Sequence, residues 1–193
     1  MTLTAVLRTL PFPTIPTIFG VDFNITLLSA ILLATSKQVY KWFVLNYCNW
    51  PEHLEATQET IASCVSITHS TLLLYPLWTL ITQHRLDPCA TIKDAPSVLW
   101  YNDAMTLMEW CSGYMLQDFL LILMKDYNPG SSSKFFPFVL PGEDPLFLLH
   151  HIATFSYMTM ARKLKAGHLS AMLLMFFGGE FSSSLSPKHF RNK

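Results

Sequence analysis

Five ionisable side chains interrupt apolar stretches of the sequence, where they could bind a polar ligand or transfer a proton. An ionisable group at the centre of a membrane costs about 3 kcal/mol on insertion scales, so it usually faces protein or water and often has a function. Ser183 lies three residues after the last of these groups, on the same face of a helix. The candidate intramembrane polar site is therefore His69, Asp118, His150, His151, Glu180 and Ser183.

The histidine pattern predicts neither a metal site nor a cofactor. His150 and His151 are adjacent, and they point about 100° apart on a helix, whereas zinc-binding histidines occupy positions i and i+4. None of the seven histidines forms the repeated histidine boxes of di-iron desaturases, and the four cysteines contain no Cys-x-x-Cys pair. Neutral imidazole can still move a proton. Catalytic residues stay unassigned at this point.

Five apolar blocks must position these side chains. A membrane-spanning helix needs about 20 mostly apolar residues. The second block contains no Asp, Glu, Lys or Arg, although the core helix of a soluble protein normally carries a charged face. The sequence therefore predicts an all-α fold, a polytopic transmembrane helical bundle of about five spans. The blocks cover residues 17–36, 60–82, 104–124, 144–161 and 167–185.

The composition agrees with a membrane protein and excludes two other classes. Of 193 residues, 51% are hydrophobic and only 13% are charged, whereas a soluble domain has about 25% charged residues. The 13 basic and 13 acidic residues cancel, so no excess positive charge attracts nucleic acid. A chain this apolar with no net charge is not intrinsically disordered.

The blocks divide the chain into three parts. Residues 1–16 are expected to form an extended leader, because their prolines interrupt any signal-peptide core. Residues 17–186 form the transmembrane domain, and residues 187–193 form a short basic tail. Lys37, Lys41 and Trp42 are expected to follow the first span as headgroup anchors. A tight turn is expected at residues 162–166.

Glu109 is interpreted differently from Asp118. The two acidic residues are nine positions apart, which places them about 180° apart around a helix. Because Glu109 is nearer the end of its span, we expect its carboxylate to reach the lipid headgroups rather than join the candidate site.

Three motifs resemble the TLC-domain family of polytopic membrane proteins. They are GlyTyrMetLeuGlnAsp at 113–118, HisHisIleAlaThr at 150–154 and GluPheSerSer at 180–183, and His69 fits a family histidine in an early span. The family includes ceramide synthases, translocon-associated proteins and lipid-homeostasis proteins. The resemblance implies a multi-pass protein of the endoplasmic reticulum with membrane lipids, sphingolipid or phospholipid, as partners.

The resemblance favours the branch without ceramide synthase activity. Ceramide synthases follow the double histidine with HisAsp and a second Asp, whereas residues 174–179 contain neither His nor Asp. We therefore expect a protein that binds or senses lipids and contributes to lipid homeostasis without being an enzyme. Family domains usually continue with further spans after Glu-x-Ser, so the chain is expected to be C-terminally truncated.

Two alternatives stay open. The first is a ceramide-synthase-type N-acyltransferase with His150 or His151 as the base. The second is a membrane trafficking or scaffold protein whose polar residues only hold helices together. The sequence does not decide the oligomeric state or which lipid is bound.

Overall fold

The fold is all-α, as the apolar blocks predict. The structure, a computed structural model, describes residues 20–83, 95–125 and 145–180, and no β-strand is present in these three ranges. The predicted leader and basic tail, together with Ser183, lie outside the described residues. The helices are α1 (Asn24–Asn46), α2 (Glu55–Gln83), α3 (Val98–Lys125), α4 (Pro145–Leu164) and α5 (His168–Leu174), which continues as a π-helical turn over Met175–Glu180.

Two helix ends differ from the ends of the predicted apolar blocks. The first block was expected to end at residue 36, but α1 continues to Asn46, because no Gly or Pro interrupts it. Lys37, Lys41 and Trp42 therefore lie on the helix rather than after it. Arg162 was expected in a turn, but it belongs to α4, and the chain reverses at Lys165 and Gly167, whose φ angles are 53° and 71°.

Helix α3 is the central element and packs most closely against α1. The Ser29 hydroxyl donates to the Trp110 carbonyl oxygen at 2.9 Å, and the Thr26 hydroxyl donates to the Glu109 carbonyl oxygen at 3.1 Å. A Cβ at Gly113 would overlap the Ser29 side chain and the Thr26 carbonyl oxygen. The absence of a side chain at Gly113 therefore sets the close approach of the two helices.

The shared core joins the other helices to α3. Leu73 of α2, Met108 of α3, Met158 of α4 and Met172 of α5 are each at most 1% exposed. Trp100, near the start of α3, donates its indole N–H to the Leu80 carbonyl oxygen at 2.8 Å, which ties α3 to the end of α2. These contacts place the middle of α3 between α1, α2 and α4, where the candidate site lies.

Length and hydropathy identify one helix among the described residues that could cross a membrane. It runs over Ala56–Gln83, and 39% of its most apolar window is buried inside the protein. Pro76 lies within this helix. This helix supports association of the protein with a membrane through one span.

Candidate functional site

Three helices bring four of the polar side chains together. The rings of His69 on α2 and Tyr114 on α3 stack with centroids 4.3 Å apart, and the Tyr114 ring lies 6.3 Å from that of His151 on α4. The His151 Nε2 atom lies 3.3 Å from the Asp118 Oδ2 atom. We call His69, Tyr114, Asp118 and His151 the polar cluster.

Helix geometry explains why α3 supplies two members of the polar cluster. Tyr114 and Asp118 are four residues apart, so both face the same direction, toward α2 and α4. His69 and His151 enter from these two helices and are only 1% and 4% exposed. The two histidines therefore lie in the interior of the bundle, whereas Tyr114 and Asp118 are half-buried.

A cleft between α3 and α4 adjoins the polar cluster at His151. Its volume is about 210 Å³, which is less than the roughly 300–1,000 Å³ of sites for drug-sized ligands. We call it the α3–α4 cleft, and it can hold one narrow apolar group. Its lining residues are Met115, Leu116, Phe119, His151, Ile152, Phe155 and Ser156.

The Asp118–His151 pair lies beside the cleft, which His151 lines and Asp118 does not. The side chain of His151 is 5% exposed and that of Asp118 is 22% exposed. A carboxylate beside an imidazole orients the ring and favours a proton on the nitrogen that faces it. The pair can therefore accept a hydrogen bond from a ligand or take part in proton transfer.

Of the other predicted site residues, only His150 has a described side chain, and it does not join the polar cluster. His150 is exposed, and its ring contacts His151 edge-on with centroids 5.7 Å apart. Glu180 ends the π-helical turn that follows α5, and Ser183 lies outside the described residues. Within residues 20–83, 95–125 and 145–180, no three His, Cys, Asp or Glu side chains come together as a metal ion would require.

Glu109 and Arg162 form a second, buried site that the sequence interpretation missed. The Glu109 carboxylate was expected to reach the headgroups, but its Oε2 atom lies 3.4 Å from the Arg162 Nη2 atom, with side chains 10% and 4% exposed. Its Oε1 atom accepts the Ile25 backbone N–H at 3.0 Å. The expectation is wrong because Arg162 of α4 gives the buried carboxylate a positively charged partner.

Asp22 and Phe23, the two residues that immediately precede α1, complete the surroundings of Arg162. The guanidinium donates to the Asp22 carbonyl oxygen and lies 5.3 Å from the centroid of the Phe23 ring. Arginine favours such a combination of carboxylate, carbonyl and aromatic partners. We call Asp22, Phe23, Glu109 and Arg162 the ion-pair cluster, and it joins α1, α3 and α4.

His168 is a core histidine that sequence reasoning did not single out. It is 0% exposed at the start of α5, and the rings of Trp100 and Tyr101 meet it edge-on at centroid distances of 5.1 and 5.6 Å. These contacts come from the first turn of α3. His168 therefore connects α5 to α3 and does not line the α3–α4 cleft.

The sequence contains only weak signals for Tyr114, Glu109 and Arg162. Tyr114 precedes Asp118 by one helical turn, which places the two on one face. Glu109 lies in the third apolar block, Arg162 directly follows the fourth, and buried charges are normally paired. Only the packing of the helices identifies which charges meet.

Comparison with known proteins gives no relative from which a function could be transferred. No protein-family model, no curated protein and no solved structure matches the chain. The similarity to the TLC-domain family thus stays a prediction based on three short motifs.

Proposed function

We infer that this chain is a polytopic membrane protein of the TLC-domain type that binds or senses a membrane lipid and contributes to lipid homeostasis in the endoplasmic reticulum. The observation that carries the proposal is the α3–α4 cleft, an apolar space that ends on the buried His151 beside Asp118. Ligand sites typically combine an apolar lining with a few polar groups of this kind.

The outer surface of the bundle supports a multi-pass arrangement. Helices α1, α3 and α4 contain 23, 28 and 20 residues, which meets the length of about 20 that a span requires. A soluble monomer rarely exposes large contiguous apolar patches. Here large apolar side chains on four helices are between 46% and 79% exposed: Ile31, Val39, Ile67, Tyr75, Trp78, Leu149, Ile152, Met160 and Phe177.

The contact between α1 and α3 supports the same proposal. Helices pack closely in membranes where small residues face each other and hydroxyl groups bond across the interface. Gly113 faces Ser29 and Thr26, and both hydroxyls donate to backbone oxygens of α3.

Cysteine accessibility in microsomes tests the multi-pass arrangement. Cys48 follows α1, whereas Lys165 follows α4, and three helices separate the two positions. We would replace the other cysteines and compare Cys48 with a Lys165→Cys variant that lacks Cys48. An impermeant maleimide should label the two positions from opposite sides of intact membranes. Labelling of both from the same side contradicts three intervening spans.

Blocking the cleft tests lipid binding. Ile152 lines the cleft and is 46% exposed, and Leu72 on α2 is 48% exposed and does not line it. We expect Ile152→Trp to reduce capture of a photoactivatable 16-carbon lipid by about tenfold, because the indole fills the cleft. The matched Leu72→Trp variant should capture the lipid like the unmodified chain. Equal capture by both variants contradicts the proposal.

The Asp118–His151 contact favours N-acyltransfer as a second candidate function. A carboxylate that orients an imidazole is the arrangement of many general bases, and the 3.3 Å separation permits it. The test uses microsomes without endogenous ceramide synthases, in which labelled acyl-CoA is followed into ceramide. Product that disappears in His151→Ala supports the enzyme, whereas inserted protein without product contradicts it and leaves lipid binding and a trafficking or scaffold role.

A further inference from the structure

Exposed aromatic side chains gather where α1 ends. The Tyr47 ring contacts those of Trp42 and Phe43, with centroids 5.9 and 5.2 Å apart. Trp50 is held near the last turns of α1, because its backbone N–H donates to the Val44 carbonyl oxygen at 3.3 Å. We call Trp42, Phe43, Tyr47 and Trp50 the aromatic patch, and its side chains are between 43% and 70% exposed. Large exposed apolar patches mark sites where a protein or a membrane binds.

The exposed surface changes its character along the chain across the aromatic patch. Before the patch, the large exposed side chains of α1 are the aliphatic Ile31, Leu32 and Val39. After the patch, charged side chains such as Glu52 and Glu59 are exposed. A bilayer has the same order of hydrocarbon, interface and water, and Trp and Tyr are enriched at its interfaces. The order therefore favours a lipid bilayer over a protein as the partner of the patch.

The distance to the other end of the bundle agrees with a bilayer. Phe23 immediately precedes α1 and Trp42 lies 19 residues later, a rise of roughly 28 Å along the helix. At the level of Phe23 exposed charges appear again, in Asp22 and in Lys163, which follows the Arg162 that contacts Asp22. The hydrocarbon core of a bilayer is about 30 Å thick. The aromatic patch and these charges are thus about one hydrocarbon thickness apart.

The charges around the aromatic patch do not attract it to anionic lipids. Residues 37–59 contain two lysines and three glutamates, and Lys41 forms an ion pair with Glu52. A juxtamembrane segment binds anionic lipid through an excess of Lys and Arg, which this segment lacks. Indole and phenol rings instead combine an apolar body with an N–H or O–H group that suits the ester carbonyls of any phospholipid. The rings, rather than the lysines, therefore suit the interface.

We propose that the aromatic patch anchors this end of the bundle in the glycerol–carbonyl layer of a zwitterionic phospholipid bilayer and thereby sets the depth of α1. The anchor rests on the proposed function, because it requires that α1 crosses the membrane. It assigns to the rings the role that the sequence pattern indicates for Lys37 and Lys41.

Depth measurements with a nitroxide label test the anchor. Every cysteine except the exposed Cys48 is replaced by Ala, the full chain is placed in nanodiscs of phosphatidylcholine, and collisions with oxygen and a nickel chelate report the depth of the label. We expect the label on Cys48 in the headgroup region, within about 7 Å of the hydrocarbon edge. A label on Ile31→Cys, in a chain without Cys48, should lie near the bilayer centre, roughly 16 Å below Trp42.

Two variants separate the rings from the charges. Trp42→Leu combined with Tyr47→Leu should move the Cys48 label about 3 Å toward the bilayer centre, two residues along a helix, because leucine prefers hydrocarbon to the interface. Lys41→Gln is the matched control and should leave the depth unchanged, as should addition of phosphatidylserine. An equal shift in Lys41→Gln, or no shift in the double variant, contradicts an aromatic anchor.

The outcomes also separate the anchor from the multi-pass arrangement. If the Ile31→Cys label lies in hydrocarbon while the Cys48 label lies in bulk water or in hydrocarbon, the anchor is wrong and the span of α1 stands. If the Ile31→Cys label lies in water, both the anchor and the span are wrong. These two positions are exposed, so this comparison leaves the core contacts of α1 intact.

Discussion

The bundle contains two acid–base pairs, and they differ in what surrounds them. Glu109 pairs with Arg162 between α1, α3 and α4, and neither residue lines the α3–α4 cleft. Asp118 pairs with His151, which lines that cleft. The Asp118 side chain is 22% exposed and that of Glu109 is 10% exposed. The two acids lie roughly 13 Å apart along α3.

The difference shows that access to a ligand, rather than residue type, separates a structural pair from a binding pair. The ion-pair cluster fills its space with a carboxylate, a backbone carbonyl and the Phe23 ring, so its contacts hold helices together. The polar cluster adjoins an unfilled apolar space. Substitutions in the ion-pair cluster should therefore change the free energy of unfolding, whereas substitutions in the polar cluster should change ligand capture.

Removal of the guanidinium should have the largest effect on stability. Arg162→Met leaves the buried Glu109 carboxylate without its charge partner, which costs about 3–5 kcal/mol of unfolding free energy. Unfolding of the purified protein in detergent measures this loss. The exposed neighbour gives the matched control, and Lys163→Met should change stability by less than about 0.5 kcal/mol.

A double variant sharpens this prediction. Glu109→Leu combined with Arg162→Met removes both charges and should recover most of the stability lost in Arg162→Met. Lipid capture per folded molecule should equal that of the unmodified chain in Arg162→Met, in Lys163→Met and in the double variant. If Arg162→Met costs no more than Lys163→Met, or if it abolishes capture by folded protein, the division between the two clusters is wrong.

A methyl group at Gly113 should have the next largest effect. Gly113 lies on α3 between the levels of the two clusters, and its Cβ would overlap Ser29 and the Thr26 carbonyl. Gly113→Ala should therefore cost about 1–3 kcal/mol in the same unfolding measurement. Adding Ser29→Gly should recover only part of this loss, because the Thr26 carbonyl oxygen remains. Full stability in Gly113→Ala contradicts the close helix contact.

The smallest predicted change in stability concerns the polar cluster. Tyr114→Leu removes the ring that stacks on His69, which should cost about 0.5–1.5 kcal/mol. Because Tyr114 also neighbours His151, capture of the lipid probe should fall as well. Tyr114→Phe keeps the ring and should restore both properties. Loss of stability without any change in capture would assign Tyr114 to the core alone.

The sequence predicts the helices better than it predicts their contacts. Long apolar runs mark all five helices, since helix formation depends on local residues, and neither Pro76 in α2 nor Gly113 in α3 ends its helix. The end of α1 was misplaced because Lys37 and Lys41 were interpreted as anchors after a span, although neither residue interrupts a helix. Local signals thus determine that a helix forms and determine its ends less well.

The site depended on pairings that no single stretch contains. His69, Asp118 and His151 could each be selected as an ionisable group in an apolar block, and the structure places them together with Tyr114. The Glu109–Arg162 pair could not be identified in this way, because Arg162 resembles a residue of a polar turn until α4 is placed against α3. Which side chains of two helices meet depends on how each helix is rotated about its axis and shifted along it, and both are set by the packing of the bundle.

Mapping the position of a captured lipid tests the central claim most directly. The full chain would be crosslinked to the photoactivatable 16-carbon lipid, digested, and analysed by mass spectrometry to locate the modified residues. Lipid binding in the α3–α4 cleft predicts adducts concentrated in the two segments 115–119 and 151–156, which contain all seven lining residues. Adducts spread over the exposed apolar residues of α1 and α2, with none in these two segments, would contradict it.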